Sequence, residues 1–324
     1  MLVASGDTLL APRAGDPDAV AGRAGIADLA TEVADALVAS GRTTASLRLD
    51  LSWAPGPRYP ATWNPNDVRD GFTQAVVMTG LSTQLPDAGR PSPKQPEREV
   101  AEALVKALDE RGVTVRLQPE KTWSTPAPPQ ARPLGSVESA TYGEVLDLAL
   151  DRSENALIEN LVRQAAATAG RSTTEEADNA SYIRERLEAH DVRTEGLVLL
   201  DASGLSPDQA ASASTLSDVL RLAVTGEVDE LTEVVSGLPV SGLSGTMKRR
   251  FGAAATEDVA GVPRAKTGTL RAGSALAGTT VDADGRPLTF AVLVDEFPAS
   301  YGGTLRARAA LDRIVAVLTR CGCR

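Results

Sequence analysis

The sequence predicts an α+β fold in which a run of helices leads into a meander of antiparallel strands and a closing helix. Three observations predict it. From about Thr141 to Val224 apolar residues recur at helical spacing. From Val262 to Val294 three apolar, strand-like stretches follow one another, the last two joined by the turn Asp282-Ala283-Asp284-Gly285. From about Leu305 to Leu318 the helical stripe returns, with Leu311, Ile314, Val315 and Leu318 on one face.

The elements can be taken in order. Ile26 to Val38 has helical spacing, Ser46 to Leu51 alternates like a strand, and Trp53 to Asn66 is Pro-rich and irregular. Thr73 to Met78 is short and strand-like. Glu97 to Leu108 is helical and stops at Arg111-Gly112, and Val113 to Leu117 is a further strand. Residues 1 to about 117 thus read as mixed α/β. The proline-rich segment Gln118 to Gly135 is the candidate linker, dividing the chain into residues 1–135 and 136–324. Beyond it, Thr141-Tyr142-Gly143-Glu144 fits a capping box that opens a helix to about Leu150. Ser153 starts the next helix as its N-cap, ended by Gly170; Thr174 to Ala189 and Thr215 to Val224 are two more.

Composition excludes several functions. With 42% hydrophobic and 23% charged residues over 324 positions, the chain is globular and large enough to bury a core without disulfides or metals. A net charge of −10 argues against nucleic-acid binding, because nothing basic is in excess to displace phosphate counterions. No apolar run approaches the roughly 20 residues of a membrane span. Met1 to Asp7 has neither a basic nor an apolar region of the kind a signal peptide carries. Cys321 and Cys323, one residue apart, are read as a frayed tail rather than a disulfide or a zinc site. No cofactor and no metal are expected.

His190 is the only histidine and reads as a solvated helix terminus, so a Ser-His-Asp triad or a histidine metal site is not expected. A Ser-Lys arrangement survives, in which an amine rather than an imidazole relays the proton. Its candidates are Lys266-Thr267-Gly268-Thr269 on a strand and Ser153-Glu154-Asn155 at a helix start, about 110 positions apart. A Ser-x-Asn triplet alone is weak. Lys-Thr-Gly opening a strand hairpin is stronger, and the pair in this order is stronger than either.

These residues resemble the low-molecular-mass class C penicillin-binding proteins, the D-alanyl-D-alanine carboxypeptidase/endopeptidases of bacterial cell walls. Ser153-Glu154-Asn155 is similar to the second of the family's three motifs and Lys266-Thr267-Gly268 to the third. Asp201 to Ser206, Leu238-Pro239-Val240 with Gly245-Thr246-Met247, Ser274 to Gly278 and Val3 to Asp7 resemble family segments around them. The first motif, Ser-x-x-Lys, has no counterpart, since no serine has a lysine three positions on. The expectation is therefore that this chain begins inside the protein, after the catalytic serine, and contains no nucleophile.

The resemblance implies a penicillin-binding-protein/β-lactamase-like antiparallel sheet with helices. Residues 1–135 would be an accessory inserted region and 136–324 an incomplete transpeptidase-like domain. It implies a serine-type carboxypeptidase/endopeptidase acting on peptidoglycan stem peptides through an acyl-enzyme, inactive here for lack of the nucleophile. Peptidoglycan peptide is the implied partner, β-lactams are implied ligands, and the cell envelope is the implied location. Lys266 would offer charge to the substrate's terminal carboxylate, with Thr267 and Thr269 adding hydrogen bonds and Gly268 admitting the peptide to the strand edge. Ser153 would pass a proton between Lys266 and the leaving nitrogen, and Asn155 would hold a substrate amide. The alternatives are a non-catalytic wall-binding or regulatory remnant and a β-lactamase.

Overall fold

The computed structural model of the chain describes residues 1–322 and forms two compact units. The first comprises Met1–Val145, Asn155–Tyr182 and Asp201–Ser203; the second comprises Leu146–Glu154, Ile183–Leu200 and the chain from Gly204 onward. This partition differs from the division at residue 135, because the helix after Ser153 packs with the first unit. Nor is Gln118 to Gly135 a free connector: Trp123 is buried in the first core, and the Asp50 carboxylate accepts the Ala127 N–H at 2.7 Å.

The first unit is built on short parallel pairs. Strand β1 (Leu2–Val3) and helix α1 (Ile26–Ala39) are followed by β2 (Thr44–Leu47) and β3 (Leu49–Asp50). The expected strand Ser46 to Leu51 is thus interrupted at Arg48, and its halves pair with different partners. Next come α2 (Pro65–Arg69), α3 (Pro96–Asp109) and β4 (Thr114–Leu117). β1 pairs with β3 and β2 with β4, both parallel. Helix α3 starts with Pro96, whose missing N–H is no loss in a first turn. Its stripe Val100, Leu104 and Leu108 packs with Ile26, Leu29 and Leu37 of α1 around Leu49 and Val113. Each such fully buried leucine contributes about 1.5–3 kcal/mol.

Thr73 to Met78 forms no strand. Side chains of the later helix over Asn155–Thr168 take up its backbone instead. Asn160 donates to the Val77 carbonyl at 2.6 Å and Arg163 to that of Val76 at 3.4 Å, while the Gly6 N–H bonds the Met78 carbonyl at 2.9 Å. Helix α4 (Tyr142–Arg152) opens on the expected capping box: Thr141 Oγ1 accepts from the Glu144 N–H, and Glu144 Oε2 accepts from the Thr141 N–H. Helix α5 (Asn155–Thr168) follows after two residues.

Helix α6 (Asp178–Ala189), whose residues to Tyr182 belong to the first unit and the rest to the second, begins later than its sequence suggests, after a turn in which Asp178 accepts from Ser172 and the Glu175 N–H. Helices α7 (Ala213–Thr225) and α8 (Asp229–Ser236) precede the sheet. The sheet is an antiparallel meander of β5 (Arg264–Thr269), β6 (Ser274–Val281) and β7 (Pro287–Val294). The turn between β6 and β7 is set by Asp282, whose Oδ1 accepts the N–H groups of Asp284 and Arg286. Helix α9 (Tyr301–Arg320), capped by Ser300 on the Gly303 N–H, packs Leu311 and Val315 with Leu276 and Phe290 of the sheet. Of the cysteine tail, Cys321 ends α9 with its N–H on the Leu318 carbonyl, and Cys323 lies outside the described residues. No helix among the described residues is long and apolar enough to cross a membrane.

Candidate active site

Strand β5 presents Lys266 because of a two-residue alternation. Ala265 is buried in the second core, so the pleat turns Lys266 and Gly268 to the opposite face from Ala265, Thr267 and Thr269. The register opposes Lys266 to Ala277, Gly268 to Ala275 and Thr269 to Ser274, and small partners leave room above the strand. A Cβ built on Gly268 would stand 3.3 Å from the Ala275 Cβ, close enough that any larger residue must displace its neighbour.

The outer edge of β5 is only partly covered. The Ala265 N–H faces outward and bonds the Pro239 carbonyl at 2.9 Å. By the same alternation the backbone groups of Thr267 and Thr269 face outward too, along an edge that an extended chain can join.

Ser153 is not a helix N-cap, as its sequence context suggests; it terminates the helix before it. Its φ is +61°, and the next residue, Glu154, donates its N–H to the Ala149 carbonyl at 2.9 Å. That is a Schellman closure with Ser153 in the left-handed position glycine normally fills. A serine there costs about 1–2 kcal/mol in backbone energy. The cost aims the hydroxyl away from both helices.

The hydroxyl meets Lys266. Lys266 Nζ donates to Ser153 Oγ at 2.7 Å and to the Thr267 carbonyl at 2.9 Å, a contact between residues 113 apart in sequence. Neither acceptor is charged. Lys266 is half-buried, and burial pushes its amine down from 10.5 to about 8. The ammonium therefore gives up its proton more readily than an exposed lysine, and Ser153 Oγ, accepting from it, keeps its own proton free to donate elsewhere.

The other expected site residues go to different partners. Thr267 Oγ1 donates to Thr246 Oγ1 at 2.9 Å, and Thr269 Oγ1 accepts from Arg308 at 3.0 Å. Asn155 opens α5 in the first unit, where its amide donates to the Phe72 carbonyl at 3.0 Å. Reading the sequence did not single out a role for Thr246 or Arg308. Gly245-Thr246-Met247 stood out only as a flank, and Arg308 lies on a helix whose apolar stripe held the signal. The Asp201 to Ser206 segment begins pinned inside the first unit. Glu159 Oε1 accepts the N–H groups of Ala202 and Ser203, and Asp201 accepts from the Trp63 indole at 2.9 Å. Burial raises the Glu159 carboxyl above its ordinary value.

Comparison with known proteins places the chain in a family. Residues 73–318 match the model of the D-Ala-D-Ala carboxypeptidase 3 (S13) family. The chain belongs to that family. Carboxypeptidase DacB of Mycolicibacterium smegmatis is 32% identical over 329 residues, a match that covers 100% of this chain and 68% of that protein. A carboxypeptidase of Mycobacterium tuberculosis is 32% identical over 333 residues, covering 100% of this chain and 67% of its own. The crystal structure of penicillin binding protein 4 from Haemophilus influenzae is similar with a TM-score of 0.73 at 18% identity, over 95% of this chain and 81% of that one. That likeness shows the fold: the α+β architecture expected from the helix and strand pattern is a penicillin-binding-protein fold. With S13 membership the chain is that of a peptidase, as the Lys-Thr-Gly hairpin led one to expect.

Proposed function

We propose that Ser153 and Lys266 are the proton-relay half of a serine D-alanyl-D-alanine carboxypeptidase site whose substrate is a peptidoglycan stem peptide. The observation that carries the reading is the 2.7 Å bond between Lys266 Nζ and Ser153 Oγ. The substrate pairs as an extended strand along the open edge of β5 at Thr267 and Thr269. Its terminal carboxylate lies near the Lys266 ammonium, a charge-assisted contact worth roughly 1.5–3 kcal/mol. When the leaving D-alanine nitrogen needs a proton, the Ser153 hydroxyl gives its own and takes one from Lys266. Gly268 gives clearance on the Lys266 face of the strand, while the Thr267 and Thr269 hydroxyls, on the opposite face, keep their bonds to Thr246 and Arg308. Residues 1–135 act as an accessory region, and the place of action is the cell envelope.

The attacking serine of such a site belongs to a Ser-x-x-Lys motif, and none occurs among these 324 residues. These groups can therefore orient a ligand and move a proton but cannot form an acyl-enzyme. Losing a member of a catalytic unit commonly costs several powers of ten in rate. The 324-residue polypeptide is expected to bind a fluorescent penicillin reversibly, without covalent label on a denaturing gel, and to release no D-alanine from a D-Ala-D-Ala peptide. A covalent band would assign a nucleophile within this chain and overturn that division of labour. Absence of any reversible binding would remove the site itself.

A further inference from the structure

The second unit contains a cavity whose charge is opposite to that of the chain. The protein carries a net −10, yet this cavity of about 700 Å³ has Lys248, Arg249, Arg250, Arg308 and Arg313 in its wall and Asp312 as its single acid. Asp312 is already committed. Arg250 Nε and Nη2 donate to its Oδ1 at 2.9 and 2.6 Å, and the pair is buried and neutral. Lys248, Arg249, Arg308 and Arg313 then leave the wall strongly positive. Among the described residues no hydrogen bond or ion pair engages the Lys248, Arg249 or Arg313 side chain.

Arg308 is the most telling of them. It donates through Nη2 to Thr269 Oγ1, while its Nε is buried with no hydrogen-bond partner among the described residues. A buried N–H without an acceptor is costly to leave unpaired. Burial and then the neighbouring Arg250 charge push the guanidinium below its ordinary value, more than the Asp312 carboxylate draws it back up. Exposed Tyr301 and Leu305 line the same cavity and give it an apolar edge.

We propose that this cavity is a binding site for an oxyanion bearing two or more negative charges. Several cations facing one space match a multivalent anion better than a single carboxylate. The flat, forked guanidinium suits bidentate contact with phosphate or carboxylate oxygens. Arg308, Arg249 and Arg313 supply the contacts to its oxygens from the cavity wall. The site is distinct from the Lys266–Ser153 pair, because Thr269, which Arg308 touches, lies on the opposite face of the β5 pleat from Lys266.

The test is isothermal titration of the whole 324-residue chain, at low salt, with inorganic pyrophosphate and separately with citrate. Saturable binding at one site is expected, weakening as salt screens the exposed cations. Arg249→Gln and Arg313→Gln, both at exposed positions where folding is undisturbed, should each weaken it by about tenfold. Lys94→Gln and Lys266→Met should leave it unchanged, and the second separates this site from the proposed peptidase site. Tighter pyrophosphate assigns a phosphate source, and tighter citrate a polycarboxylate one. No saturable binding of either anion, indifference to both arginine substitutions, or loss of binding in Lys266→Met overturns the proposal.

Discussion

Replacing Lys266 with methionine should alter how stability depends on pH. Burial lowers this amine from 10.5 in the unfolded chain to about 8 in the fold. The gap of about 2.5 in pKa corresponds to roughly 3 kcal/mol of destabilisation while the lysine is charged in the folded state. The sign follows from proton binding. Between about pH 8 and 10.5 the unfolded chain holds this proton and the folded one does not, so wild-type stability rises with pH across that window. Below pH 8 both states are protonated and the penalty stands in full. Methionine has no proton to lose, so the stability difference, methionine variant minus wild type, should fall by roughly 3 kcal/mol from pH 7 to pH 10.5. The hydrogen bonds lost to Ser153 and to the Thr267 carbonyl shift the two curves vertically but do not change this slope. Urea unfolding should be followed by far-UV circular dichroism, because Trp53, Trp63 and Trp123 all lie in the first unit and do not report on the second. Parallel curves from pH 7 to 10.5 would refute the claim that Lys266 is desolvated.

Two other substitutions test the packing within the two units. Asp312→Asn leaves the Arg250 guanidinium buried without its counter-charge and should cost about 3–5 kcal/mol in chemical denaturation; replacing both partners with apolar residues should recover most of it. Thr141→Ala removes the Oγ1 that caps α4 and should cost about 1 kcal/mol in the same assay, whereas Thr141→Ser should be nearly neutral.

Much of the site was legible because its chemistry and its backbone obey short-range rules. The β6–β7 hairpin was readable from alternation and from Asp282, whose side chain makes its own turn. The capping box at Thr141 and Glu144 was readable because both partners sit within four residues. Ser153 was misassigned as an N-cap for an equally local reason. Two helices separated by two residues allow the serine either to open one or to close the other. The choice fell to the Schellman bond from Glu154 to Ala149, which leaves no residue signature when the left-handed position is not glycine. Thr73 to Met78 has strand composition, but Asn160 and Arg163 capture its carbonyls from more than eighty residues away. Helix α8 spans only 8 residues, too short a window for its apolar spacing to stand out in the sequence. Arg308 and Thr246 were invisible as functional residues because their partners, Thr269 and Thr267, reach them only once α9 and the sheet are packed.

The most direct test of the account is a nitrogen-15 titration of the Lys266 amine by NMR, assigned among the chain's five lysines with a Lys266→Arg variant. A midpoint near 8 is expected in the free protein. It should move upward when a peptide ending in D-alanyl-D-alanine is added, because the peptide carboxylate stabilises the ammonium. A midpoint near 10.5 that ignores the peptide would contradict both the poised Ser153–Lys266 pair and its role in holding substrate.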